Sequence, residues 1–364
     1  MASRRSGHSR RSRRQGFALA GLLPATLHLV LTLGYDSSYS HQLYAREAFL
    51  YQYRHGVYRY RVVGRELVVA VGRVLDHFGV ALHTIATDIG HGRPPADLFT
   101  ALLVVNGVAF VALAMLLYAV TARAADEWRL SYVIVVVLVA LSGYVVTPYD
   151  NLGYLLTVGA VVVALSGRPW APPLCLVLAG VGTATRESFV VAVAAVAAVL
   201  VGQHGWRALG RVRDPVWWSA AALAGGWLGT YVTLRLVVAT DPELDTSLSE
   251  SVLNEMNWEM SSVVALVFYG LGACALYLTW PALSETARKH WRPTRLLLWL
   301  FSAPYVAACV AEGIWFEAMR LLLPVLLCEH VLRRTVADRP PADLSFGDDR
   351  VAVHAKALEP QRDS

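Results

Sequence analysis

The sequence predicts an all-α fold: a polytopic membrane helix bundle of about ten spans, with an amphipathic helix in its first extracytoplasmic loop. Three observations carry that expectation. Of 364 residues, 56% are hydrophobic and only 16% charged, where a soluble domain carries charge on about a quarter. The apolar residues come in long blocks and the mean hydropathy is +0.46, as in a chain that crosses lipid repeatedly. The basic residues, finally, fall on alternate connections between those blocks.

The chain opens with "MASRRSGHSRRSRRQ", six arginines in fifteen residues. Ahead of an apolar run, such a segment is a cytoplasmic topology signal rather than a nucleic-acid arm. Residues 1–15 are therefore read as a basic cytoplasmic tail, and no nucleic acid is expected as a partner. The run 16–34 is long and has no small-x-small cleavage site before the next loop, so it reads as a first span and not a secretory leader. Further spans are expected at 97–121, 130–147, 152–166, 171–185, 188–202, 216–238, 262–281, 295–310 and 318–331. Those at 152–166, 171–185 and 188–202 fall short of the ~20 residues that a perpendicular helix needs. They tilt, extend into the linkers, or re-enter. The membrane-embedded helical domain thus covers 16–335. The polar, proline-containing stretch 336–364 reads as a disordered cytoplasmic tail.

With the N-terminus inside, the cytoplasmic connections become "TARAADEWR", "GRPW", "QHGWRALGRVRD", "SETARKHWRPTR" and the tail from "HVLRRTV". Each carries arginine or lysine. The short outside connections become "PYDN", "TRES", "EGIWFEAMR" and the longer "ATDPELDTSLSESVLNEMNWEM", which has neither. The alternation closes with both termini cytoplasmic, in a multi-pass protein of the cell membrane whose solvent is the lipid bilayer. Arginine outnumbers lysine thirty to two, as a GC-rich bacterial genome would give.

The first outside loop, 35–96, holds seven arginines, and long loops are largely exempt from the charge rule. Within it, "RVVGRELVVAVGRVLDHFGV" has helical periodicity. At about 100° per residue, Arg61, Arg65, Glu66, Arg73, Asp76 and His77 share one side. Val63, Leu67, Val68, Val71, Val74, Leu75 and Phe78 share the other. A helix so divided either lies on the membrane surface or packs its apolar face on the bundle. The tyrosines of this loop suit an interfacial belt, and sugar stacking is a minor reading of the same rings.

Polar chemistry gathers on the outside. Asp36 follows the first span, Tyr60 and Arg61 open the amphipathic helix, and Asp150 lies in "TPYDNLGY". Arg186 and Glu187 form the centre of "TRES", while Glu312, Glu317 and Arg320 lie in "AEGIWFEAMRLLLP". A charge at mid-bilayer costs about 2.5–3.5 kcal/mol, so such groups face a bundle interior, a partner or water. Arg186 and Glu187 point ~100° apart if helical, so each needs a partner on another element. Glu317 and Arg320 can share a face and are candidates for that pairing. A structural ion-pair lock, or headgroup-seeking side chains, is the plain reading of any one residue. Acids beside arginines that can clamp a phosphate is the reading of the set.

Other chemistries lack their signatures. There is no P-loop, HExxH, CxxC or GxSxG motif. Cys175, Cys274, Cys309 and Cys328 stand singly in apolar runs and read as small core residues. The acidic segment 241–259 lacks calcium-loop spacing and reads as a solvated face. No cofactor is demanded by a motif, and a divalent cation stays open.

In this order the motifs resemble a known class. A first span, a long outside loop with an early aspartate, and a horizontal amphipathic helix look like the GT-C class of membrane glycosyltransferases. More narrowly, "YRYRVV", "PYDNLGYLL", "TRES" and "EAMRLLLPVLL" resemble a bacterial GT-C-like group with an RYRV-type segment, a Tyr-Asp turn, an Asn-Arg-Glu-Thr motif and a late Glu/Arg–Pro helix. Together they cover most of residues 17–331. Thr185 and Ser188 replace the flanking asparagine and threonine, Glu317 and Arg320 are more widely spaced, and Asp36 stands without a second acid.

The resemblance implies sugar transfer from a polyprenyl-phosphate-linked donor to a glycan or lipid acceptor of the cell envelope at the outer face. Asp36 would be the catalytic base. Arg186, with Arg61 or Arg320, would hold the lipid phosphate, and Glu187, Asp150 and Glu317 would orient those arginines or bind sugar hydroxyls. Two alternatives stand beside it, a silent scaffold of the same fold and a transporter or flippase of a lipid-linked anionic solute. Transport needs ionisable residues in the inner halves of the spans as well, and the sequence reads as placing almost none there.

Overall fold

The computed structural model describes residue 16 and residues 18–34, 45–55, 59–82, 96–122, 126–142, 150–206, 214–238, 260–312 and 315–338. Among these the fold is all-helical, with no strand. Helix α1 (Leu23–Gly34) continues a π-helical turn, Ala18–Leu22. The first loop supplies α2 (Arg46–His55) and the amphipathic α3 (Val62–His77). Then follow α4 (Phe99–Leu117), α5 (Arg129–Ser142), α6 (Asp150–Ala164), α7 (Ala171–Thr185) and α8 (Val190–His204). The chain ends in α9 (Pro215–Val237), α10 (Met260–Thr279), α11 (Glu285–Glu312) and α12 (Trp315–Asp338).

A helix lies at each of the ten expected apolar segments. Phe99–Ala122 is the one run among the described residues that is long and apolar enough to cross a membrane by length and composition. Ala18–Gly34, Asp150–Ala164, Ala171–Thr185, Glu187–Gln203 and Leu266–Thr279 are apolar but shorter. Asp150 of "TPYD" and Arg186 and Glu187 of "TRES" stand where α6 begins, α7 ends and α8 begins. Helix α11 starts ten residues before its apolar part, because Ser284 Oγ accepts the Ala287 N–H at 3.2 Å and caps the polar turns. Helix α12 runs on to Asp338, past the expected end of the membrane domain. The rest of the 336–364 tail, residues 1–15 and Asp36 lie outside the described residues.

Local chemistry sets several other ends. Asp214 Oδ1 accepts the Val216 N–H at 2.8 Å and Pro215 takes the first position of α9, where its missing N–H costs nothing. Gly205, at φ +64°, closes α8.

Packing centres on α6, which touches α4, α7, α8 and α12, while α7 lies along α9 and α8 along α11. One large core joins these helices, with Phe110, Tyr132, Tyr154, Phe189, Leu223 and Leu298 all buried in it. The Tyr132 hydroxyl donates to the Leu19 carbonyl at 3.0 Å, tying α5 to the first turn. A smaller core beneath the first loop holds Phe49, Val68, Val69, Leu98 and Leu102. Cys175, Cys309 and Cys328 are buried as expected of core residues, whereas Cys274 is exposed.

The amphipathic helix divides its apolar face. Gly64, Val68, Val69 and Gly72 are buried where α3 packs on α4 and α7. Leu67, Val74 and Phe78, on the flank, stay exposed, Phe78 to 73%. Bundle packing thus claims one flank of this helix and leaves the other open.

Candidate functional site

Helices α7 and α8 part at "TRES". Arg186 is extended (φ −162°, ψ 137°), Glu187–Phe189 make a single 3-10 turn, and α8 then begins. Gly182 makes this break possible, since a Cβ there would overlap the Phe189 ring that turns back onto α7. Because Arg186 is extended, its side chain and that of Glu187 reach different neighbours.

Arg186, 2% exposed, donates to the Asp150 carboxylate on the first turn of α6. One turn on, the Tyr154 ring lies 5.6 Å from the same guanidinium. Tyr305 of α11 stands nearby. Gly153, between the two α6 residues, leaves room for the methylenes of Arg186, which a Cβ would meet at 3.3 Å. Glu187 goes elsewhere. Arg61 Nε, at the start of α3, donates to Glu187 Oε2 at 3.0 Å. Both members of this second pair keep water contact, the side chains being 16% and 31% exposed. Asp150, Arg186, Glu187 and Arg61 thus meet in one cluster, drawn from three distant segments, and each charge of "TRES" has its partner on another element. Among the described residues those partners are Asp150 and Arg61.

Glu317 and Arg320 lie on the first turns of α12, which packs against the 187–189 turn. The placement of their side chains lies outside the described residues, as does Asp36 altogether.

Sequence reasoning missed two further arginines here. Arg235, in the last turn of α9, sits 3.8 Å above the Tyr60 ring and 5.2 Å from Tyr231. Arg59 lies 4.9 Å from the same Tyr60 ring and donates to its hydroxyl at 2.9 Å. Burial alone would push that hydroxyl up, but Arg59 and Arg235 outweigh it and hold it below the usual tyrosine range. No carboxylate among the described residues pairs with Arg59 or Arg235. The available signal was a lone arginine, "TLRLVV", one turn before an apolar run ends.

A second polar cluster lies at the other end of the bundle. Glu329, fully buried on α12, accepts from the Tyr277 hydroxyl at 2.8 Å and Trp299 Nε1 at 3.1 Å, with Arg295 Nε at 2.6 Å. The adjacent His330, also fully buried, accepts from Trp280 Nε1 at 2.9 Å. That the two clusters oppose each other follows from α8. Its start adjoins Arg186, beside Tyr305 of α11, while Gly202 near its end lies against Thr294 of α11. From Val190 to Gly202 the helix rises twelve residues, ~18 Å. The expectation of almost no ionisable groups at this end is corrected by Glu329: the tail is expected from "HVLRRTV", while the helix continues through it to Asp338 and buries the acid.

Among the described residues no group of three or more His, Cys, Asp or Glu side chains is placed to hold a metal. The arrangement at "TRES" can instead neutralise and orient an anion, with Arg61, Arg59 and Arg235 at the accessible side and Arg186 locked beneath. Comparison of the chain with protein-family models, with curated proteins and with solved structures found no match.

Proposed function

We propose that this protein is a membrane glycosyltransferase of GT-C type, moving a sugar from a polyprenyl-phosphate donor to a cell-envelope acceptor at the extracytoplasmic face. The observation that carries the reading is the meeting of Arg61, Glu187, Arg186 and Asp150 in one cluster, with Arg59 and Arg235 beside it. In the proposed topology the ten bundle helices span the bacterial cell membrane with both termini inside. Two further facts support it. The arginine-bearing segments around Trp128, Pro281 and Arg333 come together at one end of the bundle, and "TRES" lies at the other.

In this mechanism the acceptor hydroxyl attacks the anomeric carbon of the donor, and the bond from that carbon to the phosphate oxygen breaks. Polyprenyl phosphate leaves with the electron pair, and Asp36 takes the hydroxyl proton. Arg61, together with Arg59 and Arg235 and with Arg320 of α12, meets the phosphate charge as it develops. Arg186, fixed by Asp150, contributes its field from below, and Glu187 aims Arg61. Glu317 is assigned to sugar hydroxyls. The flanking open face of α3 rests on the outer leaflet.

Two measurements test this. In native mass spectrometry with polyprenyl monophosphate, the wild type retains the lipid and Arg61→Ala loses most of it. Equal retention, or none by the wild type, removes the phosphate seat. With a donor in hand, Asp36→Asn abolishes transfer while folding and expression stay normal. Unchanged turnover would rule out Asp36 as base.

The buried Glu329, paired with Arg295, supports a second reading, a transporter or flippase of a lipid-linked anionic solute, since that reading requires ionisable groups at both ends of the bundle. Proteoliposomes decide between them. Movement of the lipid without bond cleavage favours transport, and glycosyl transfer to an acceptor favours the enzyme. A protein that binds the lipid and does neither is the silent scaffold.

A further inference from the structure

Helix α11 begins with an arrangement that the reading above leaves unused. Arg288, Arg292 and Arg295 recur at four and three residues, so they share one face within about 60°. All three are exposed. Like charges at this spacing weaken a helix, so the stripe is a local cost. From α12, Arg333 adds a fourth guanidinium. Its position is fixed: it donates to the Pro281 carbonyl at 2.8 Å and lies 5.0 Å from the Trp280 ring and 5.9 Å from Trp291. Arg288 and Arg295 stand close enough to repel it.

The acids at hand are already used. Glu329 is shared by Arg295, Tyr277 and Trp299, and Glu285 faces Lys289 at 3.5 Å. No carboxylate among the described residues forms an ion pair with Arg288, Arg292 or Arg333, and the Glu329 carboxylate that attracts Arg333 is already engaged by Arg295, Tyr277 and Trp299. The Nε–H of Arg333 is buried and has no acceptor among the described residues. A buried charged donor without an acceptor costs several times the net worth of an ordinary hydrogen bond. Several forks on two helices, sharing one carboxylate that is already engaged and with one donor orphaned, call for an oxygen-rich anion.

We propose that this end of the bundle is a second anion site, distinct from the "TRES" cluster, which takes a phosphodiester through Arg288, Arg292 and Arg333 above the Arg295–Glu329 pair. Guanidinium forks match the tetrahedral oxygens of phosphate and bind them in pairs. The four-residue ridge that carries Arg288 and Arg292 names the source. Beyond Arg288 and Arg292 the stripe continues as Leu296 and Leu300, 70% and 59% exposed. Charged for two turns and apolar for the next two, it matches a headgroup followed by acyl chains, and the ligand is an anionic phospholipid.

The full-length protein in detergent is offered phosphatidylglycerol, phosphatidylcholine and soluble glycerol phosphate, and retention is read by native mass spectrometry. Phosphatidylglycerol is retained over phosphatidylcholine. Arg288→Gln with Arg292→Gln, both exposed and in no ion pair among the described residues, weakens that retention by about tenfold or more with an unchanged melting temperature. Equal retention by the variant, or no preference over phosphatidylcholine, overturns the site. Displacement of the lipid by glycerol phosphate at equal concentration keeps the phosphate site and overturns the lipid as its source.

Discussion

Arg186 stays ionised at 2% exposure because Asp150 meets it directly and Tyr154 offers its ring face. Removing one member of such a pair leaves an uncompensated buried charge, a loss of about 3–5 kcal/mol, while apolar replacement of both is often neutral. Asp150→Asn is therefore expected to lower the melting temperature sharply in detergent, and Asp150→Leu with Arg186→Met to recover most of the loss. A double variant as unstable as the single one would show that the pair orders more than itself. Arg61→Ala, by contrast, acts on a pair that keeps water contact, and its stability effect stays within about 1 kcal/mol. Adjacency in "TRES" showed in advance that Arg186 and Glu187 must look to different elements. Which elements was not legible, because nothing local couples residue 61 to 187 or 150 to 186. Glu329 was missed for a related reason. A carboxylate near the end of an apolar run looks like the start of a tail until Tyr277, Arg295 and Trp299 are seen around it.

At the scale of elements, the break between α7 and α8 rests on one contact that a sequence does not display. Gly182→Ala puts a methyl into the Phe189 ring, and overpacking of this kind costs about 1–3 kcal/mol. Phe189→Ala in the same chain removes the clash, so the pair should melt above the sum of the two single losses. Additive melting temperatures would mean that α7 and α8 simply shift apart. Helix α3 makes a different case. Its period was legible, and so was the width of its apolar face. The division of that face was not, because the glycines at 64 and 72 select the flank that approaches α4 and leave Leu67, Val74 and Phe78 outside. Cysteine at 74 is expected to react with a lipid-soluble label in membranes, and cysteine at 66, on the charged side, with a water-soluble one. Equal reaction of both with the aqueous reagent would place α3 away from the bilayer.

At the scale of the molecule, the ten helices outside the first loop cover the ten apolar runs, although α11 begins ten residues before its run and α12 continues past its own to Asp338. Whether each of them crosses a bilayer is a separate matter. Helices α6, α7 and α8 have 15 residues each, ~22 Å against a ~30 Å hydrocarbon layer. They reach both surfaces only where neighbouring helices or a thinned bilayer cover the shortfall. The arrangement of charge bears on the same question. The segments carrying Trp128, Pro281 and Arg333 are far apart in sequence yet adjoin at one end, and each lies beside a connection that the charge rule puts in the cytoplasm. Under the proposed topology the number of crossings is even. A fluorescent-protein fusion after residue 338 is expected to fluoresce, and an alkaline phosphatase fusion within 241–259 to be active. The reverse fusions should both be silent. An active phosphatase after residue 338 would require an odd number of crossings. It would move "TRES" and the Arg288–Arg292 stripe onto the wrong leaflets for a lipid-linked donor outside and a phospholipid headgroup inside, and both proposals would fall together.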